Sequence, residues 1–137
     1  MLSDITHAYI EKAAQEAALK GALNIKAYDV EERLPLVEGF LVMSVSSMRQ
    51  LRAMTAHVER ALHEAGAKRR TREGLEGESQ WVILDYQDFF VHIFLEEARD
   101  FYGLDSMWSD CPFISLDLPE AEVKDEPSSL LDFLELN

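Results

Sequence analysis

The sequence predicts an α/β fold: a single domain in which a mixed five-stranded sheet carries packed helices, in the order α-β-β-α-β-β-β-α. Three observations carry that prediction. Two stretches, residues 3–20 and 47–65, repeat apolar residues at helical spacing. Runs at residues 23–28, 40–46, 81–84 and 89–94 are apolar or alternating, as strands are. The length of 137 residues suits one hydrophobic core and is too short for two.

Each element follows from local chemistry. Ser3 is a capping hydroxyl and Asp4 sits at the positive end of the helix dipole. The alanine-rich helix behind them presents Ile5, Tyr9, Ala13 and Ala17 as its buried stripe, with Gly21 placed to close it. Leu23, Ile25 and Ala27 then alternate with Asn24, Lys26 and Tyr28, the period of a half-exposed strand. Leu34-Pro35 cannot continue that strand, so residues 31–39 are a connection. Residues 40–46 form the next strand. Ser47 and Gln50 have capping-box spacing for the helix that follows. Along it Met48, Leu51, Met54, Val58, Ala61, Leu62 and Ala65 recur on one face until Gly66.

Residues 68–73 carry the charge expected of an edge strand. Beyond Gly74 and Gly77, Trp81-Val82-Ile83-Leu84 reads as a strand buried on both faces. Asp85-Tyr86-Gln87-Asp88 has the length of a turn, and residues 89–94 complete an antiparallel hairpin expected in the middle of the sheet. Glu96-Glu97 open a short helix that carries Phe101 and Tyr102 and ends at Gly103, and Leu104 to Trp108 add one apolar turn.

Charge divides the chain in two. The net charge is −13, of which residues 109–137 hold eight acids against one base, Lys124. Three of the four prolines lie there too, so residues 1–108 are expected to form the domain and residues 109–137 an acidic tail. Leu130-Leu131, Phe133-Leu134 and Leu136 within that tail have the spacing of a short amphipathic helix. A chain this acidic is repelled by phosphate backbones, which favours a basic protein as partner. One cysteine, Cys111, excludes an internal disulfide and cannot alone hold a metal. No apolar run spans a bilayer and the first residues lack a leader pattern, so a cytoplasmic, bacterial protein with no membrane partner is expected.

Few residues suggest chemistry. Asp85 and Asp88 flank a turn, and paired carboxylates can hold Mg²⁺. Equally, both can satisfy backbone N–H groups at a hairpin tip. Without a phosphate-binding glycine loop, they point to no enzyme, metal, cofactor or small-molecule substrate. His92, between Val91 and Ile93, is expected in the core. Tyr86 lies in the turn, where burial is hard. An exposed aromatic flanked by acids suits a protein interface, an apolar anchor with a charged rim. The sheet face around Trp81, or the region of Tyr102 and Trp108, is the other place for such a surface. Arg99 is expected either to pair within its helix or to reach a partner.

From Trp81 to Trp108 the sequence resembles the signature of the ribosomal silencing factor family, the bacterial RsfS and plant Iojap group. The matching residues are Trp81, Leu84-Asp85-Tyr86, Asp88, Val91-His92-Ile93-Phe94, Arg99, Tyr102, Leu104-Asp105 and Trp108. The resemblance extends more weakly over residues 3–110. It departs from the family at Gln87, where glycine is usual, at Glu38, where aspartate is usual, and at Ser106-Met107, where a basic residue is usual. A non-glycine residue at a positive φ costs roughly 1 kcal/mol, so the turn at Gln87 is in question.

The resemblance implies a nucleotidyltransferase-like shape, yet Ser44-Val45-Ser46-Ser47 stands where such an enzyme needs Gly-Ser before a helix. It further implies a translational repressor that binds the large ribosomal subunit through ribosomal protein fourteen of that subunit and blocks subunit joining. Trp81, Asp85, Tyr86, Asp88, Arg99, Tyr102 and Trp108 are the expected partner-binding residues. A large-subunit assembly factor without a silencing role is the alternative, and a nucleotidyltransferase-like enzyme is a more distant one. Arg49, Arg52, Lys68, Arg69, Arg70 and Arg72 are explained equally by solvated faces and by contact with ribosomal RNA.

Overall fold

The computed structural model describes residues 2–120; the amphipathic helix expected near the C-terminus lies outside the described residues. In chain order the elements are α1 (Asp4–Leu19), β1 (Leu23–Asp29), β2 (Gly39–Val45), α2 (Met48–Ala65), β3 (Thr71–Glu73), β4 (Trp81–Asp85), β5 (Phe89–Leu95), α3 (Glu96–Tyr102) and α4 (Leu104–Met107). The five strands form one sheet in the order β1-β2-β5-β4-β3. The order along the chain and the β4–β5 hairpin match the prediction, with Leu104 to Trp108 forming α4 and its cap. No helix among the described residues is long and apolar enough to cross a membrane.

One pairing makes the sheet mixed. β2 and β5 run parallel over seven residue pairs, from Gly39↔Phe89 to Val45↔Leu95, whereas the other three pairings are antiparallel. Parallel neighbours need a crossover, which α2 begins and β3 and β4 complete. β5 thereby becomes the middle strand. It is buried along nearly its whole length, while three-residue β3 is exposed at the edge, as its charges predict.

Period-2 alternation along β2 and β5 builds two cores, one on each face. On the first, Leu41, Met43, Val91 and Ile93 meet Ile10 and the alanines of α1 together with Leu51, Met54, Val58 and Leu62 of α2. On the second, Phe40, Val42 and Phe94 meet Ala98 of α3, Leu104 of α4 and Trp108. α2 begins as predicted, with the Ser47 hydroxyl accepting the Gln50 N–H at 3.1 Å, and ends on Gly66 at φ +99°.

Four expectations are corrected. The buried stripe of α1 is turned from the predicted one: Thr6, Ile10, Ala13, Ala14, Ala17 and Ala18 face inward, and Ile5 is 60% exposed. Glu38 sets this rotation, because its carboxylate accepts the Ser3 N–H at 2.6 Å and the Thr6 hydroxyl at 3.1 Å. In β1 the simple alternation fails. Asn24 has φ +49° and the register shifts between Leu23 and Lys26, so Ala27 and Tyr28 are both buried. β4 is not buried on both faces, since Trp81 and Ile83 are only half-covered. Finally, the domain continues past Trp108. Asp29 N–H donates to Pro112 O and Ile114 N–H to Ala27 O, both at 2.8 Å, which lays residues 112–114 beside β1 and buries Cys111 and Ile114. An uncovered β1 edge with Tyr28 open to water is the alternative that this pairing removes.

The hairpin tip is a tight closure with a misfit residue. The Asp88 N–H donates to Tyr86 O at 2.9 Å across Gln87, which sits at φ +73°. That conformation favours glycine. Gln87→Gly is therefore expected to stabilise the fold by about 1 kcal/mol net of glycine's greater unfolded-state entropy. Urea denaturation should show a higher midpoint with an unchanged slope.

Candidate protein-interaction face

The second face of the sheet is incompletely covered. Alternation in β4 and β5 places Trp81 and Ile83 beside His92 and Phe94, with Phe40 of β2 adjacent. α3 and α4 are only seven and four residues long. They close over Phe94, which is fully buried, and leave Trp81, Ile83 and Phe90 half-buried. Trp81 stacks on Phe94 at 4.8 Å and meets Tyr102 at 5.0 Å, and Tyr102 meets Phe101 edge-on at 5.3 Å. These rings form a continuous strip from the core to solvent, ending at Tyr102, 50% exposed, and Phe101, 83% exposed.

His92 lies under that strip. Its Nδ1 stands 3.1 Å from the indole nitrogen of Trp81, which can only donate. Nδ1 therefore accepts, and the ring's own proton is on Nε2, which is buried and has no partner among the described residues. Phe40 packs edge-on at 4.7 Å. Burial pushes the imidazole down to about 3, so it is neutral under physiological conditions. The expectation of a core histidine agrees with this placement, and its chemistry is to orient Trp81.

Arg99 is spent inside the protein. It is buried and binds both carboxylate oxygens of Asp105, Nε to Oδ2 at 2.7 Å and Nη2 to Oδ1 at 3.1 Å. Nη1 donates to Asn24 O at 2.6 Å and to the Ser44 hydroxyl at 2.9 Å. Tyr28 adds a 2.7 Å hydrogen bond to Asp105. Burial alone would raise the Asp105 carboxyl, but hydrogen bonds from Arg99 and Tyr28 and the guanidinium charge outweigh it and hold the group below its ordinary value. Burial, then the neighbouring Asp105, pushes the Tyr28 phenol up. Arg99 is expected from sequence to pair within its own helix or to reach a partner; it pairs instead with Asp105 of α4, outside its helix.

The hairpin tip departs further from expectation. Tyr86 is not exposed: it is buried and stacks on Phe89, centroids 5.0 Å apart and planes within 3°. It belongs to the core shared with α1 and α2, across the sheet from Trp81. Burial, and then the charge of Glu59, pushes its phenol up to about 12. A side chain in a turn can still pack inward when the next strand supplies a ring below it. Asp85 is largely buried as well. Its carboxylate accepts the Gln87 N–H at 2.7 Å and binds Arg70 through Nε at 3.1 Å and Nη2 at 2.7 Å. Asp88 is exposed, with its carbonyl taken by the Glu38 N–H at 2.7 Å.

The seven predicted residues thus do not share one surface. Trp81 and Tyr102 come together on the aromatic strip. Trp108 is buried behind it, edge-on to Phe40 at 5.0 Å and capped by the Arg33 guanidinium at 4.7 Å. Asp85, Tyr86 and Arg99 are internal, and Asp88 is exposed at the tip. Phe101 and Met107, both exposed, were not among the predicted site residues. A seven-residue helix is too short for periodicity to say which of its aromatic residues faces water.

A model of the family described as "Ribosomal silencing factor during starvation" matches residues 3–130. Curated relatives include a ribosomal silencing factor RsfS of Bacillus subtilis, 32% identical over 98 residues, covering 72% of this chain and 82% of that protein. The RsfS of Chromobacterium violaceum is 34% identical over 101 residues, 72% of this chain and 81% of its own length. A crystal structure of a Chromobacterium violaceum protein superposes with a TM-score of 0.68 at 26% identity, covering 79% of this chain and 88% of that one.

Two outcomes test the internal networks. Asp105→Ala leaves the buried Arg99 without its partner and should cost about 2–3 kcal/mol, less than a fully buried pair because Asp105 retains some solvent access. Thermal melts should read this as a fall of several degrees. His92 has a folded pKa below its unfolded value of about 6.5, so its contribution is complete above that pH and is lost as pH falls toward about 3. Unfolding free energy should therefore drop by about 1.4 kcal/mol per pH unit from this group in that window. His92→Gln, measured by urea titration at several pH values, should lack that component.

Proposed function

The chain belongs to the ribosomal silencing factor family, and from that premise we propose that it represses translation by occupying the large ribosomal subunit where the small subunit must join. Its partner is ribosomal protein fourteen of the large subunit. The contact is the aromatic strip of Trp81, Tyr102 and Phe101 with the half-covered Ile83 and Phe90 beside it. That strip is the observation that carries the proposal: its outer end, Phe101 at 83% exposed and Tyr102 at 50%, leaves aromatic surface in water, which suits an apolar interface centre. Trp81, oriented by His92, is the anchor, because its rotamer is set before a partner arrives.

The mechanism is occupancy. A 15.6 kDa body is roughly 35 Å across by compact-domain scaling, enough to cover ground needed by contacts between subunits. Blocking needs no bond-making step, so affinity and concentration set its strength. The net charge of −13 suits a basic partner and speeds encounter with one.

Sedimentation tests the proposal. The protein should travel with free large subunits and lower the fraction of joined ribosomes; equal binding to joined ribosomes would overturn the steric mechanism. Phe101→Glu should weaken large-subunit binding at least tenfold while leaving stability within about 0.5 kcal/mol, since Phe101 is exposed. Unchanged affinity in that variant would move the interface off this face. Trp81→Ala should lose binding too, with some loss of stability from the broken bond to His92.

A further inference from the structure

Positive charge is concentrated in one part of this acidic chain. Seven of its thirteen lysines and arginines fall within residues 49–72, against two acids, Glu59 and Glu64, a net of +5 in a chain of −13. The fold gathers them on one surface. Along α2 the exposed residues Arg49, Arg52, Ala56, Arg60 and His63 follow at intervals of three and four, a straight ridge along ~21 Å of helix axis. Beyond Gly66 the chain doubles back, and Lys68 and Arg69 join Arg60 and His63 around an open basin of about 550 Å³ with Tyr86 among its lining residues.

Part of that charge is already engaged. Glu59 holds both Arg69 and Arg72, Asp85 holds Arg70 at 2.7 Å, and Arg60 reaches Glu16 at 3.8 Å. Arg49, Arg52 and Lys68 have no ion-pair partner among the described residues. Between Arg49 and Arg60 the exposed surface includes the methyl groups of Ala53 and Ala56, and the nearby Glu59 is already held by Arg69 and Arg72. A surface of small residues between guanidinium groups lets a charged backbone come close to the helix.

We infer that this ridge is a second contact with the ribosome, one that grips the phosphate backbone of ribosomal RNA. The inference rests on the silencing proposal, because it presumes a large subunit beside the protein. Cations in a row on an open surface fit a polyanion rather than a small ligand, which needs enclosure. The rest of the molecule is repelled by RNA, so only orientations that turn α2 toward it are favourable. α2 packs on the sheet face opposite the aromatic strip. One molecule therefore touches protein on one side and RNA on the other, and its orientation is set by both.

The test uses the full chain and purified large subunits. Arg49→Gln, Arg52→Gln and Lys68→Gln together should leave the fold intact, since all three are exposed. Each phosphate contact contributes about 0.7–0.9 to the slope of log affinity against log salt, so the triple variant should lose about 2–3 of that slope. Affinity at physiological salt should fall about tenfold. A benzophenone photocrosslinker placed at Ala56 should give an adduct that nuclease removes. An unchanged slope with wild-type binding intact overturns the ridge contact alone. So does an adduct that resists nuclease, whether to a ribosomal protein or to the chain's own acidic C-terminal segment. Failure of the wild-type chain to sediment with large subunits overturns the silencing proposal and this inference together.

Discussion

The bidentate pair between Arg99 and Asp105 holds the second face of the protein in place. Helices of seven and four residues do not persist alone in water, because so short a helix cannot repay its nucleation. Here the guanidinium of α3 is tied to the carboxylate of α4, to Asn24 O on β1 and to the Ser44 hydroxyl on β2, with Tyr28 closing the set. Each of the three guanidinium nitrogens thus has an acceptor, and losing Asp105 would strand a charge out of water. The clamp also fixes the C-terminal end of α3, where Phe101 and Tyr102 project. The exposure of these two rings and the electrostatics of the core are in this way one problem.

The two faces of the sheet are covered to different degrees, and that asymmetry is what the protein has to work with. α1 and α2 together seal one face with alanine, leucine, methionine and valine. The short α3 and α4 seal only half of the other, so Trp81 and Ile83 of β4 and Phe90 of β5 stay partly open. His92 makes this opening orderly. A neutral imidazole inside the sheet accepts the Trp81 indole N–H, so a half-exposed ring has a set direction rather than a choice of rotamers. Charge is divided similarly, with seven of the thirteen lysines and arginines within residues 49–72 and only two of the acids there.

The order of elements, the caps of the helices and the β4–β5 hairpin were legible in the sequence, because each depends on neighbours within a few residues. Ser3 and Ser47 cap what they precede, and period-2 runs of β-branched and aromatic residues form strands wherever they find a partner. The family signature from Trp81 to Trp108 was legible for the same reason, as a pattern of types at set spacing. At Gln87 the sequence leaves the turn in question, a costly positive φ or a turn of another type, and the structure answers with φ +73°.

What only the tertiary structure decided was which side chains meet water and which are already engaged. Tyr86 stands in a turn yet lies against Phe89, because the strand after the turn brings a ring beneath it. In sequence Arg99 can pair within its helix or reach a partner, but Asn24 and Ser44 meet it from positions 75 and 55 residues away. Trp81 and Tyr102, separated by a strand and most of a helix, become one strip with Phe101. Likewise residues 112–114 have the composition of a tail and the hydrogen bonds of a sheet edge. Local chemistry determines the elements; burial is a property of pairs distant in sequence, and it is settled only when the chain closes on itself.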